Sequence, residues 1–407
     1  MQTVMGNLLS YFSACGREYA ETHSNEIYKT MKIGILTLPL HTNYGGILQA
    51  YALQTVLERM GHEVVVFDTP NKAFRPPLWK RPLCYTKRAI LKCQGKVERI
   101  FLEHYADKVR PIIAQRIQPF IEKYINRLEV CKFSKLKSLD YDAIIVGSDQ
   151  VWRVDYFTAW GGQLVQNAFL SFAKDWNIRR ISYAASFGIG VSNYSSNQIQ
   201  LCKKFLSLFD AVSVRESDGV SICKEYFSVD ATHVLDPTML LSKEDYISLY
   251  EKNNTPKSNG TLLNYVLDET FEIQEIIKKI ALEHSLIPFA VNNPFEKDNT
   301  KPLTARIKPS VETWLRGFAD ADFVVTDSFH ACVFSIIFKK QFVVVGNKKR
   351  GNARFDSLLK MFGLEDRLVD GSIDFTQLKS INYEEVYKKY NELKFNSIDF
   401  LVKNLNS

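Results

Sequence analysis

Residues 323–338 read FVVTDSFHACVFSIIF. Phe323, Val324 and Val325 suit a buried strand, Thr326, Asp327 and Ser328 turn the chain polar, and His330 follows. From Ala331 the apolar residues recur at a spacing that suits a buried helix. A strand, a sharp turn and a helix are thereby specified, with an acid, a hydroxyl and an imidazole at the turn. In open α/β sheets, ligands bind just beyond the carboxyl ends of the strands, so polar groups placed there can do chemistry. The same cluster in mid-strand would only cost burial free energy.

This grammar repeats along the chain. Residues 32–38 (KIGILTL) form a strand, Gly45-Gly46 opens a helix through Met60, and a strand over 64–67 closes with Asp68. Residues 71–130 interrupt the alternation with Pro76, Pro77 and Pro82 and then a helical, basic stretch. Strands resume at 141–146, 181–185, 211–214 and 232–235, with helices near 194–208 and around 217–226. The second half restarts with a helix near 243–251, strands at 261–267, 287–291, 323–325 and 342–345, helices between them, and a terminal amphipathic helix from about residue 383. Alternation of this kind implies parallel sheets covered on both faces. A chain of 407 residues exceeds what one core supports, so two Rossmann-like domains are expected. Their bounds read as an N-terminal appendage at 1–30, a first domain at 31–240 carrying the insertion 71–130, a second domain at 241–380, and a C-terminal helix at 381–407 that packs back across the boundary.

Composition excludes several classes. No apolar run approaches the ~18 residues of a spanning helix, and the first thirty residues do not read as a secretory signal. Seven widely spread cysteines without CxxC or Cys/His ligand spacing favour a reducing, cytoplasmic setting with no structural metal. The net charge of +7 suits anionic partners. It is concentrated at residues 72–99, where nine Lys/Arg accompany one acid, Glu98. That run reads either as a solvated helix face or as a surface for anionic lipid. No nucleic-acid reading module is present, so nucleic acid is not expected as a partner.

Nearly every strand ends in polar residues: His41, Thr42 and Asn43; Ser148 and Asp149; Arg215 and Glu216; Asp327, Ser328 and His330; then Lys348, Arg350, Asn352 and Arg354. Gly45-Gly46 serves either an anion at a helix start or close packing. There is no G-x-G-x-x-G and no P-loop pattern, which disfavours a dinucleotide or P-loop nucleotide. The 346–354 loop suits phosphate or carboxylate, and Arg354 stands inside an otherwise apolar helix start. Arg215 ends an apolar strand and needs a partner. Glu216 would point away from it if the strand continued, which leaves an external anion as that partner. His330 is either a catalyst or a hydrogen-bonded structural residue, and its neighbours Asp327 and Ser328 favour the catalyst. Cys332, inside an apolar helix, reads as packing rather than as a nucleophile.

The segments IGILTLPLHTNYGGILQAYALQ, YDAIIVGSDQVWR, ISYAASFG, DAVSVRES, VLDPTMLL, VVTDSFHACVFSIIF and GNARFDSLL together resemble the polysaccharide pyruvyl transferase family. The resemblance implies a GT-B-like architecture, with two Rossmann-like domains facing across a central cleft and a C-terminal helix crossing back. It implies phosphoenolpyruvate as donor, with no cofactor or metal. The acceptor would be a sugar such as galactose, in a bacterial surface polysaccharide (capsule or exopolysaccharide) or its polyprenyl-diphosphate-linked precursor. Work of this kind would place the protein in the cytoplasm at the inner face of the membrane, with residues 72–99 in contact with anionic lipid. On the family's motifs, His330 and Asp149 are the catalytic pair, and Arg215 holds the donor. Other branches carry arginine where this chain has Ser328, so the remaining donor contacts are expected from Arg354, Lys348, Asn352 and Ser328 itself. His41, Asn43 and Asp327 are expected at the acceptor. The competing readings are a GT-B glycosyltransferase using a nucleotide sugar, and a non-catalytic anion- or membrane-binding protein of the same fold.

Overall fold

The structure is a computed structural model that describes residues 29–69, 75–159, 163–189, 191, 193–296, 298–346, 352–369 and 378–406. Nearly all of the expected appendage, together with Lys72, Lys348 and Arg350, lies outside the described residues.

The first half builds one parallel sheet. Its strands are β1 (Lys32–Leu36), β2 (Glu63–Asp68), β3 (Arg127–Glu129), β4 (Ala143–Val146), β5 (Arg179–Ala185), β6 (Ala211–Val214) and β7 (Thr232–His233). They lie in the order β3-β2-β1-β4-β5-β6-β7. Between β1 and β2 runs α1 (Tyr44–Arg59), and the insertion carries α2 (Arg81–Cys93), α3 (Leu102–Ile113) and α4 (Gln118–Tyr124). The short α5 (Val154–Thr158), then α6 (Ser196–Leu206) and α7 (Ser217–Ile222), complete this half. The end of the insertion was expected to be helical, but residues 127–129 pair with β2 as an edge strand. Three exposed residues carry too little pattern to announce a strand, and pairing alone defines it.

The chain passes to the second half through a 3-10 turn, Pro237–Leu240, and α8 (Lys243–Lys252). There β8 (Leu262–Tyr265), α9 (Phe271–Glu283), β9 (Pro288–Phe289), α10 (Val311–Asp320), β10 (Phe323–Thr326), α11 (Phe329–Ile337), β11 (Gln341–Val345), α12 (Ala353–Phe362) and β12 (Leu368–Val369) follow in turn. The second sheet is also parallel, in the order β12-β11-β10-β8-β9.

Strand alternation explains the layers. Ala143 and Ile145 of β4 face a core shared by both halves, while Ile144 and Val146 face the outer helices. Likewise Val324 faces the shared core, and Phe323 and Val325 face α9. Helix α1 is buried along most of its length, because it lies between its own sheet and the other half. Its first residue, Tyr44, stacks on Trp314 of α10 at 5.5 Å between ring centroids and donates to the Pro309 carbonyl at 2.7 Å. Arg59, its last residue, pairs with Asp245 of α8 at 2.6 Å.

Helix α13 (Tyr383–Asn406) crosses back over both halves. Tyr387 donates to the Ile337 carbonyl in the second half and Tyr390 to the Met239 carbonyl in the connecting turn. Ser397 accepts the Leu235 amide at 3.0 Å in the first half. Val386, Tyr390, Ile398, Leu401 and Leu405 supply its buried stripe.

Trp314 is 1% exposed and packs against Tyr44, Tyr265, Phe318 and Phe334. Trp314→Ala should lower stability by about 3–5 kcal/mol. Urea unfolding measures this, and a loss below about 1 kcal/mol would contradict the packing described.

Candidate active site

Each sheet reverses its strand order once, between β1 and β4 in the first and between β8 and β10 in the second. Crevices form beyond the carboxyl ends of the strands at such points. Here both open on one cleft of about 450 Å³, whose lining includes Asn43, Gly45 and Asp149 from the first half and Ser328, His330 and Arg354 from the second.

At the first reversal, Asn43 donates its amide to Asp149 Oδ2 at 3.0 Å, joining the loops after β1 and β4. Asp149 has φ 66°, a left-handed backbone tolerated by Asp and found at functional sites. At the second reversal, the Asp327 carboxylate accepts the amides of Leu267 (2.7 Å) and Asp268 (3.0 Å). Asp327 therefore holds the loop after β8 in place, in addition to lining the cleft.

His330 stands in the first turn of α11 and is 7% exposed. Its ring lies directly against Gly45 of α1, where the methyl group of an alanine would sit 2.0 Å from Nδ1. A methyl group on Gly46 would sit 3.0 Å from Asn43 Nδ2 and 3.2 Å from Asp149 Oδ2, a tight but lesser crowding. Close approach thus explains the glycine pair, and the neighbours are side chains of the site rather than the adjacent strand. Nε2 of His330 lies 3.7 Å from Asp236 Oδ2, beyond hydrogen-bond length, and has no hydrogen-bond partner among the described residues.

Arg215 is buried beneath the cleft and is absent from its lining. Its guanidinium donates to Glu216 Oε1 and Asp236 Oδ2, both at 3.0 Å, and leaves Nη2 without a partner among the described residues. The expectation that Glu216 points away is corrected: β6 ends at Val214, strand alternation stops there, and Glu216 folds back to accept both Arg215 and Ser186. Burial alone would depress the Arg215 pKa, but Glu216, Asp236 and Asp149 outweigh it and raise the value. Burial likewise opposes ionisation of Asp236, yet His330 and Arg215 hold its carboxyl well below the usual carboxylate range. Asp236 was not among the site residues expected from sequence. Its only signal there was a strand end before proline.

Arg354, in the first turn of α12, lines the cleft and makes no ion pair or hydrogen bond among the described residues. Two guanidinium groups approach the Phe329 ring, Arg215 at 4.3 Å and Arg354 at 5.9 Å. Burial, and next the charge of Arg215, lower the Arg354 pKa. A bound anion would relieve both effects. Ser328 caps α11 at the cleft wall without a side-chain capping bond. Asn352 caps α12, packs on Gly346 and is set back from the cleft. His41 is also set back, with Nδ1 2.9 Å from Thr42 Oγ1. Burial, then Arg110 and Lys308, push its imidazole down to about 4 against an opposing pull from Asp149, so it is neutral at pH 7.

Two facing parallel sheets, a common cleft at both strand-order reversals and a returning C-terminal helix define a GT-B-like protein. The family model for polysaccharide pyruvyl transferase matches residues 43–349, most of the chain. The chain belongs to this family of enzymes. Among curated proteins, none matches it significantly. Solved structures similar to it include UDP-GlcNAc 2-epimerase of Neisseria meningitidis bound to UDP-GlcNAc, at TM-score 0.47 and 10% identity over 92% of this chain and 99% of that one. UGT89C1 of Arabidopsis thaliana with UDP-L-rhamnose has TM-score 0.45 and 10% identity over 94% and 100%. A glycosyltransferase of Rickettsia africae has TM-score 0.43 and 11% identity over 93% and 95%.

Gly45→Ala should leave the fold intact but displace the His330 ring. The expected sign is a shifted His330 resonance in an NMR spectrum of the histidine side chains, and an unshifted one would contradict the contact.

Proposed function

We propose that the protein transfers the pyruvyl group of phosphoenolpyruvate to two hydroxyls of a sugar, such as galactose, in a bacterial surface polysaccharide or its lipid-linked precursor. The observation that carries this reading is Arg354, a guanidinium with no ion pair or hydrogen bond among the described residues, opening on the cleft that also holds His330 and Asp149. A donor with a carboxylate and a phosphate needs such a cation. Arg215 lies beneath the cleft with its charge matched by Glu216 and Asp236, and it, Lys348 and Asn352 are assigned to the donor side from the sequence. Ser328, in place of an arginine, leaves Arg354 as the described cation of the cleft's donor end.

In this reaction C3 of the enol takes a proton and becomes a methyl group. The two hydroxyls bond to C2, and the C2–O bond to phosphate breaks. His330 is the acid/base, and Asp149, held by Asn43, orients the acceptor hydroxyls. Asp327, which lines the cleft, and His41, which lies behind it, are assigned to the acceptor side from the sequence.

The lipid-linked acceptor is supported by α2 and the turn before it. None of the residues of α2, nor of the 3-10 turn Leu78–Lys80 before it, is buried; Leu78 and Trp79 of that turn and Leu83 of α2 are 75%, 76% and 77% exposed, and Lys80, Lys87, Lys92 and Lys96 lie along the same segment. An apolar stripe flanked by lysines suits the surface of an anionic membrane. The adjoining α3 is tied to the cleft, because the Ile113 carbonyl accepts the amide of Lys308, a lining residue. No helix among the described residues is long and apolar enough to cross a membrane, so the proposed contact is peripheral, at the cytoplasmic face.

Incubation with phosphoenolpyruvate and a panel of galactosides, glucosides and N-acetylmannosaminides should give phosphate release and a mass gain equal to the added pyruvyl group. Transfer from a sugar nucleotide instead would establish the glycosyltransferase reading. Arg354→Ala should raise the KM for phosphoenolpyruvate by about 10- to 100-fold, and an unchanged KM would remove Arg354 from the donor site. Trp79→Glu combined with Leu83→Glu should abolish co-sedimentation with phosphatidylglycerol vesicles while leaving turnover of a soluble acceptor unchanged. Persistent co-sedimentation would rule out α2 as the contact.

A further inference from the structure

Asp236 links the buried Arg215 of the first half to His330 of the second. It follows β7 and caps the turn Pro237–Leu240. Its two oxygens are used differently. Oδ1 accepts the amide and the hydroxyl of Thr238 at 3.0 and 2.7 Å, which locks the carboxylate to its own turn. Oδ2 accepts Ser148 Oγ at 3.1 Å and Arg215 Nη1 at 3.0 Å, and it faces His330 Nε2 at 3.7 Å. The residue is 2% exposed, so water does not compete for these contacts.

The His330 ring therefore has two distinct nitrogens. Nε2 is buried and faces the carboxylate. Nδ1 lies against Gly45, and both residues line the cleft. A neutral ring with a bare Nε2 would set a lone pair against the negative oxygen. A ring with Nε2–H turns an attractive dipole towards it.

We infer that Asp236 is the positioning residue for His330: it fixes the Nε2–H tautomer and leaves Nδ1 as the nitrogen that exchanges protons with substrate. This rests on the reading of His330 as the acid/base of pyruvyl transfer. The imidazolium gives its Nδ1 proton to C3 of the enol, and the N–H electron pair stays on Nδ1. Nδ1 then takes the proton of one attacking hydroxyl, which restores the imidazolium. The proton of the second hydroxyl leaves with the phosphate. Throughout, Asp236 stays ionised, and the shared Arg215 and the Ser148 hydroxyl keep Oδ2 aimed at the ring. Gly45 is the complement of this arrangement, since any side chain there would cover Nδ1.

The test has two arms. Nitrogen-15 NMR of the intact protein labelled at histidine, with His330 assigned through His330→Gln, reads the tautomer directly. The expected result is protonated Nε2 and bare Nδ1 in the neutral ring, and the opposite tautomer overturns the inference. This arm needs neither donor nor acceptor, so it stands even if the chain transfers something other than pyruvate. In the second arm, Asp236→Asn keeps the side chain's size and leaves Arg215 its bond to Glu216. It should lower kcat by about 100-fold or more with the KM for phosphoenolpyruvate within about threefold of wild type. Full kcat, or a loss confined to that KM, would assign Asp236 to Arg215 and the donor, and the inference would fall.

Discussion

A guanidinium held out of water by two carboxylates organises this structure. Arg215 sits between Glu216 and Asp236 with almost no exposure, and without its guanidinium two buried carboxylates would be left uncompensated. Meeting that demand dictates local geometry. Strand β6 must stop at Val214 so that Glu216 can fold back, Ser186 must donate to Glu216, and Ser148 must donate to Asp236. Four strand ends of the first sheet, those of β4, β5, β6 and β7, are thereby bonded to one another. Replacing such a network with apolar groups would cost little stability, or even raise it. What it provides here is a fixed electrostatic floor under the cleft.

On that floor stand groups from the second sheet. Phe329 covers Arg215, and the next residue, His330, reaches over to Asp236. Asp327, two residues before Phe329, fastens the loop after β8. Each of these neighbours in sequence does a different task, because the first turn of a helix fans its side chains in different directions. The stretch 326–330 therefore covers the floor, carries the imidazole and braces the opposite loop at once.

Much of the architecture was legible in the sequence. Apolar runs of strand length ending in polar residues, separated by helical periodicity, give parallel sheets with chemistry at the carboxyl ends, and both sheets follow that pattern. The edge strands β3 and β12 were not legible, since two or three residues hold no period and exist only by pairing. The site divided in the same way. Asp149, Ser328, His330 and Arg354 could be found because each follows a strand or opens a helix, and all four line the cleft. The parts played by Asp236, Glu216 and Gly45 could not. They depend on which strand ends become neighbours and on a ring arriving from a segment 285 residues further along the chain in the case of Gly45 and His330. Spacing in sequence does not encode such contacts.

The placement of Gly45 has a mechanical consequence. Gly45 and Asp236 belong to one half of the molecule, and His330 belongs to the other. The wall that His330 leans on and the counter-charge that it faces are both foreign to its own sheet. A rotation of one half away from the other would strip the imidazole of its wall and its counter-ion in the same movement. The angle between the halves and the readiness of the ring to move a proton are then a single coordinate. On the proposed role of His330, a molecule opened in this way would admit a bulky acceptor but leave its proton carrier disassembled.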